Sequence, residues 1–272
     1  MSRGRYYARS VEVRSVGYRT DLMIRVLEGS LAEDRGDYLV IRSPSNPTYW
    51  WGNFLLLAEP PGPGEASSWV ATFKREFPGA QHVALGIDVT EIGAIDVAGL
   101  VAEDLRLERS AVLTAQELVE PPRPNRTATY RELAGDDDWR RAAELRAVVN
   151  QGEPGGDPEF VQARVAAEQA LTEAGHGAWF GAFVGGELVA QLGLATDGSG
   201  VARYQNVETH PDWRRQGLAG TLVWHAGRLG LDALGASTLV IVADPHGAAI
   251  QVYRSVGFAD AETQIGFERQ PA

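Results

Sequence analysis

One segment limits the architecture of this chain more than any other: Val207-Glu208-Thr209-His210-Pro211-Asp212-Trp213-Arg214-Arg215-Gln216-Gly217-Leu218-Ala219-Gly220-Thr221-Leu222. A strand ends at Thr209, Pro211 turns the chain, and a glycine-punctuated loop opens into a long helix over 217–234. Gly217, Ala219 and Gly220 carry little or no side chain, so backbone N–H groups stay open to a bulky neighbour. A helix start adds about half a positive charge and several unpaired donors. That combination suits an anion such as a pyrophosphate. The same glycines also suit a plain strand–turn–helix connection in which they only ease packing. Neither G-x-G-x-x-G nor G-x-x-x-x-G-K-[ST] occurs in the segment, which argues against a dinucleotide-binding turn or a P-loop.

The rest of the chain alternates strands and helices around this segment. Residues 38–41, 54–58, 82–89 and 107–113 read as strands, and 65–77 and 95–105 as helices. Pro121-Pro122-Arg123-Pro124-Asn125 is a stiff, extended connector, and the domain boundary is expected there, dividing 1–122 from 123–272. Beyond it, 127–133 is strand-like, 140–149 is a helix entered through Asp136-Asp137-Asp138, and 158–174 is a second helix. Strands follow over 178–184, 188–195 and 201–209, the first two joined by Gly185-Gly186-Glu187. After the long helix come a strand over 239–242, a helix over 248–256 and a terminal strand or hairpin over 257–269.

Composition removes several classes of function. The net charge is -11, and neither side of Asn125 holds the basic excess of a nucleic-acid binder. The chain has no cysteine, which excludes disulfides, thiolate metal sites and a cysteine-borne acyl intermediate. Its five histidines show no ligand spacing, and no metal site is expected. No apolar run is long enough to span a membrane. Met1–Ser10 is rich in Arg and Tyr and lacks a secretory apolar stretch, so a cytoplasmic location is expected.

Arg214-Arg215-Gln216-Gly217-Leu218-Ala219 matches Arg/Gln-x-x-Gly-x-Gly/Ala, and Ala249-Ile250-Gln251-Val252-Tyr253-Arg254-Ser255-Val256-Gly257-Phe258 follows Ala-Ile-x-Leu-Tyr-x-x-x-Gly-Phe. With both motifs in order, the region from about Thr127 to Arg269 resembles the GNAT superfamily of acyltransferases. The resemblance implies a mixed α/β fold of the α+β type, with a central, mostly antiparallel sheet flanked by helices. A second, smaller α/β domain precedes it, whose order of elements is similar to a degenerate copy, as in tandem GNAT proteins. That first domain lacks the glycine loop and is not expected to bind coenzyme A.

The resemblance implies acetyl-coenzyme A as co-substrate and an amine acceptor, a small molecule or a peptide, attacked directly in a ternary complex. A non-catalytic acyl-coenzyme A sensor or interaction module is the alternative. Val207 and Thr209 would offer main-chain groups to the pantetheine arm. Arg214, Arg215, Gln216, Gly217, Leu218, Ala219, Gly220 and Thr221 would surround the pyrophosphate, and Tyr253 would protonate the departing thiolate. His246 stands where the family often has Asn, and can donate the same hydrogen bond. The position that carries a base carboxylate in some members is Arg203, so Glu208, or water, is left as the base. A homodimer is compatible with the resemblance.

Overall fold

The structure is a computed structural model that describes residues 12–93, 95–152 and 154–271; Met1–Ser10 lies outside them. In chain order the elements are α1 (Val16–Leu27), β1 (Leu31–Asp34), β2 (Tyr38–Arg42), β3 (Phe54–Leu57), α2 (Ala66–Glu76), β4 (Val83–Ile87), α3 (Val97–Ala102) and β5 (Arg106–Ala115). They continue with β6 (Thr129–Glu132), α4 (Gly135–Val149), α5 (Pro158–Glu173), β7 (Gly177–Val184), β8 (Glu187–Thr196) and β9 (Val201–Thr209). The last four are α6 (Leu218–Asp232), β10 (Thr238–Ala243), α7 (Ala249–Ser255) and β11 (Ala259–Arg269). The chain divides into two compact units, one running to Ala111 and resuming at Glu262, the other spanning Val112–Ala261.

These divisions differ from the sequence-based boundary at 122/123. The proline-rich connector lies within the second unit. The last strand belongs largely to the first, because Ile265–Arg269 pairs antiparallel with Val83–Ile87 of β4 and buries Ile265 and Phe267 completely. A proline run marks stiff chain, but only pairing decides which core a distant strand joins.

In the first unit β1, β2 and β3 are successively antiparallel, and β3 then runs parallel to β4 after the α2 crossover. Gly86 of β4 faces Gly266 of β11. A Cβ at Gly86 would meet the Tyr18 ring, and one at Gly266 would overlap Trp51. The paired glycines thus make room for two rings that flank Phe54, at 6.3 and 5.5 Å between centroids. The Tyr18 hydroxyl donates to the Ile265 carbonyl, and Trp51 Nε1 donates to Glu268 at 2.8 Å. Trp51 therefore packs against this core. The sequence reading assigned nothing to 11–37, where the structure places α1, capped by the Ser15 side chain, and β1.

The second unit repeats that order on a larger scale. β6, β7, β8 and β9 are successively antiparallel, and β10 runs parallel to β9 after α6. α6 packs on the sheet through Leu218, Leu222, Val223 and Ala226. Gly227 lets it approach closely, since a Cβ there would overlap Tyr204, whose hydroxyl donates to the Val223 carbonyl at 2.7 Å. α4 begins five residues before its expected start, with Asp136, Asp137 and Asp138 in its first turn. Asp138 accepts from Ala134 N at 2.8 Å and pairs with Arg131. α5 starts on an Asp157 cap followed by Pro158. No helix of the described residues is long and apolar enough to cross a membrane.

Trp179 of β7 faces Gly193 of β8, and a Cβ at 193 would overlap the indole. Gly193→Ala is expected to cost about 1–3 kcal/mol by overpacking, a fall of roughly 3–10 °C in Tm by calorimetry. An unchanged Tm would show that the indole has somewhere else to go.

Candidate active site

Pairing between β9 and β10 is short. Val201, Ala202 and Arg203 lie opposite Thr238, Leu239 and Val240, and the ladder stops there, although β9 continues to Thr209 and β10 to Ala243. Beyond this point β9 carries an extra residue. Gln191 faces Glu208 and Gly193 faces Gln205, so Asn206 and Val207 together oppose Leu192. Asn206 sits at φ +48, a left-handed conformation that asparagine tolerates better than most residues.

A cleft of about 570 Å³ opens where the strands part. Its walls are the end of β9, the loop into α6, the inner side of α7 and the connector at Pro121–Arg123. Arg215 at φ +61 and Gly217 at φ +79 curl the loop, an arrangement that gathers successive N–H groups into a concavity. Among the described residues, the N–H groups of 215–220 have no hydrogen-bond acceptor, and no side chain caps α6. Gly217 is required twice over: its φ disfavours any side chain, and a Cβ would overlap the Arg123 carbonyl. The connector is fastened to this loop, with Asn125 N donating to Thr221 Oγ1 and Asn125 Nδ2 to the Gln216 carbonyl, both at 2.9 Å.

On the opposite wall Tyr253 is 5% exposed and its hydroxyl finds no partner among the described residues. Burial pushes its pKa up to about 12, so it is protonated at neutral pH. Glu208 lines the cleft, but its oxygens are engaged from behind. Arg146 Nε donates to them at 3.1 and 3.3 Å, and Gln191 Nε2 at 2.6 Å. The same guanidinium donates through Nη1 to Glu168 at 2.7 and 2.9 Å. Burial alone would lower the Arg146 pKa; the attraction of Glu168 and Glu208 outweighs it and raises it.

The cleft collects most residues that the sequence singled out; Gln216, Thr221 and His246 are the candidates that do not line it. Gln216 and Thr221 hold the connector instead, and His246 is exposed in the turn before α7, its N–H donating to Asp244 at 2.8 Å. Arg203 is buried within β9. The sequence did not mark Pro121 and Arg123 as walls of a site, nor Arg146, Glu168 and Asn206 as one network. A charged residue on an otherwise apolar helix face, such as Glu168 among Val161, Val165 and Leu171, is the signal that could have marked it.

Residues 139–258 match the model of the acetyltransferase (GNAT) family. No curated protein sequence matches the chain significantly. Among solved structures, a GCN5-related N-acetyltransferase from Kribbella flavida is 18% identical, over 95% of this chain and 97% of its own, with a TM-score of 0.65. A GCN5-related N-acetyltransferase from Sphaerobacter thermophilus is 17% identical, over 92% and 84%, with a TM-score of 0.61. A tandem GNAT protein from the clavulanic acid biosynthesis pathway is 11% identical, over 96% and 94%, with a TM-score of 0.57. At these identities the likeness is one of fold.

If the loop holds an anion through its N–H groups, removing one donor should weaken binding without unfolding the chain. Ala219 is in the first turn of α6, where proline is tolerated. Ala219→Pro is expected to lower coenzyme A affinity about 10- to 100-fold by calorimetry, the range of one hydrogen bond to a charged group. Unchanged affinity would remove this loop from the binding site.

Proposed function

We propose, from the match of residues 139–258 to the acetyltransferase (GNAT) family model, that this chain moves an acetyl group from acetyl-coenzyme A to an amine by direct attack. The observation that carries this reading is a convergence in one cleft: a strand end parted from its neighbour, a loop of N–H groups without acceptors, and the Tyr253 hydroxyl.

The residues present fit such a co-substrate. N–H groups of 215–220, with Arg214 and Arg215 beside them, suit the charges of a pyrophosphate. The main chain at Val207 and Thr209 can take up the amides of an extended pantetheine arm as a sheet edge takes up an added strand. The cleft volume falls within the ordinary range of about 300–1,000 Å³ for ligand sites. The bound thioester supplies the electrophilic carbonyl carbon.

In the transfer a C–N bond forms, the C–S bond breaks, the amine nitrogen loses a proton and the sulfur gains one. A free thiol has a pKa of about 8.5, some 3.5 below that of Tyr253, so complete proton transfer from the phenol to the thiolate is uphill by roughly 5 kcal/mol. Tyr253 therefore acts as a hydrogen-bond donor to the charge developing on sulfur, and passes a proton on only as the amine proton replaces its own. Glu208 has few acceptor positions left. It orients the incoming amine, or the water that relays the amine proton. The acceptor is a small molecule or a peptide.

The first unit has the element order of the second, but its crossover strands do not part. β3 and β4 stay paired from Leu55/Leu85 to their ends, and Asp88 N still donates to the Leu57 carbonyl at 2.9 Å. We read it as a degenerate copy that binds no coenzyme A.

Tyr253→Phe keeps the ring and its packing. It is expected to leave acetyl-coenzyme A affinity within threefold and to lower turnover at pH 7 by about 100-fold. The deficit should persist above about pH 8.5, because the hydrogen bond to the departing sulfur is available at every pH at which Tyr253 stays protonated. Single-turnover thiol release across pH with an identified amine measures this. Wild-type rates in the Phe variant would leave Tyr253 as a packing residue. Absence of thiol release from the unaltered protein across an amine panel would favour a sensor.

A further inference from the structure

Two residues that flank Val207, Asn206 and Glu208, are tied to one buried pair of charges in the helices behind the sheet. Asn206 Nδ2 donates to Glu168 Oε1 at 2.6 Å, and Glu208 accepts from Arg146. Glu168 on α5 is 1% exposed and Arg146 on α4 is 4% exposed. Arg164 adds a second cation 3.8 Å from Glu168, and Gln191 Nε2 ties Glu208 to the Ala142 carbonyl of α4 at 3.0 Å. A buried ion pair is a poor device for stability, because desolvation consumes most of the attraction. What this one does provide is position. Asn206 is the left-handed residue of the bulge, and its side chain is held by the carboxylate that Arg146 holds in turn.

We infer that Glu168 is a positioning residue for the acyl co-substrate: through Asn206 and Arg146 it fixes the bulge that turns the Val207 main chain towards the cleft. The inference rests on the functional reading above and assigns a role to side chains that do not line the cleft themselves. It makes a prediction specific to one part of the ligand. Loosening the bulge should weaken capture of the pantetheine arm, which lies along β9, and spare the phosphates, which the loop at 215–220 receives.

The test is Asn206→Gly in the full chain. Glycine accepts φ +48 without strain, so the strand can keep its path while the tie to Glu168 is lost. Affinities for coenzyme A and for adenosine 3′,5′-diphosphate, which has no pantetheine arm, are measured by calorimetry. Coenzyme A binding is expected to weaken at least tenfold, with the diphosphate within twofold of the unaltered protein. The KM for acetyl-coenzyme A should rise with turnover at saturation within threefold. Equal losses for both ligands, or no loss for either, would overturn the inference. Glu168→Gln, which keeps the shape and an acceptor for Asn206 but removes the charge that holds Arg146, is expected to show the same selective loss, and settles the matter if Asn206→Gly does not fold. An unaltered protein that binds neither ligand would overturn the functional reading itself.

Discussion

A parallel strand pair that stops after three residues is the constraint on which the second unit depends. β9 and β10 both continue past Arg203 and Val240, and the main chain beyond that point has lost the neighbour that a sheet would supply. Buried main-chain N–H and C=O groups are seldom left unpaired. An interrupted ladder inside a sheet is therefore stable only when it borders an open cleft, where water or a ligand completes it. The first unit shows the contrast: in the same crossover β3 and β4 stay paired to their ends.

Three separate devices maintain the gap. The extra residue of β9 bends the strand, with asparagine at its left-handed position. Arg146 and Glu168 hold the residues on both sides of Val207 from behind. The connector at Pro121–Asn125 closes one wall, its proline ring at 121 lying 3.5 Å from where a Cβ of Gly220 would be. Each of the three fixes where main-chain donors point.

Legibility in the sequence followed the range of the interactions. The loop at 214–220 and the helix around Tyr253 are local: glycine at positive φ, small residues in a first helical turn, and an aromatic at fixed spacing can all be read from neighbours in the chain. The strands and helices from 178 onward were read within a residue or two for the same reason. The bulge at Asn206 was not legible, because nothing in Gln205-Asn206-Val207 distinguishes it from regular strand without the partner register. The network was not legible either, since Arg146, Glu168 and Glu208 are some twenty to sixty residues apart. The connector was recognised as stiff chain, but its role as a wall follows only from its bonds to Gln216 and Thr221. β11 was expected in the second domain, and its assignment to the first rests on pairing with β4, far away in sequence.

The central claim is that the main chain of β9 and of the loop into α6 forms the binding surface for coenzyme A. Amide hydrogen exchange, resolved to single residues by NMR with and without coenzyme A, addresses those N–H groups directly. The account predicts that the N–H groups of 215–220 exchange quickly in the free protein and become protected by at least tenfold on addition of coenzyme A, together with the amides of Val207 and Thr209. Binding of coenzyme A that leaves these amides unprotected, or that protects β3 and β4 of the first unit instead, would contradict it.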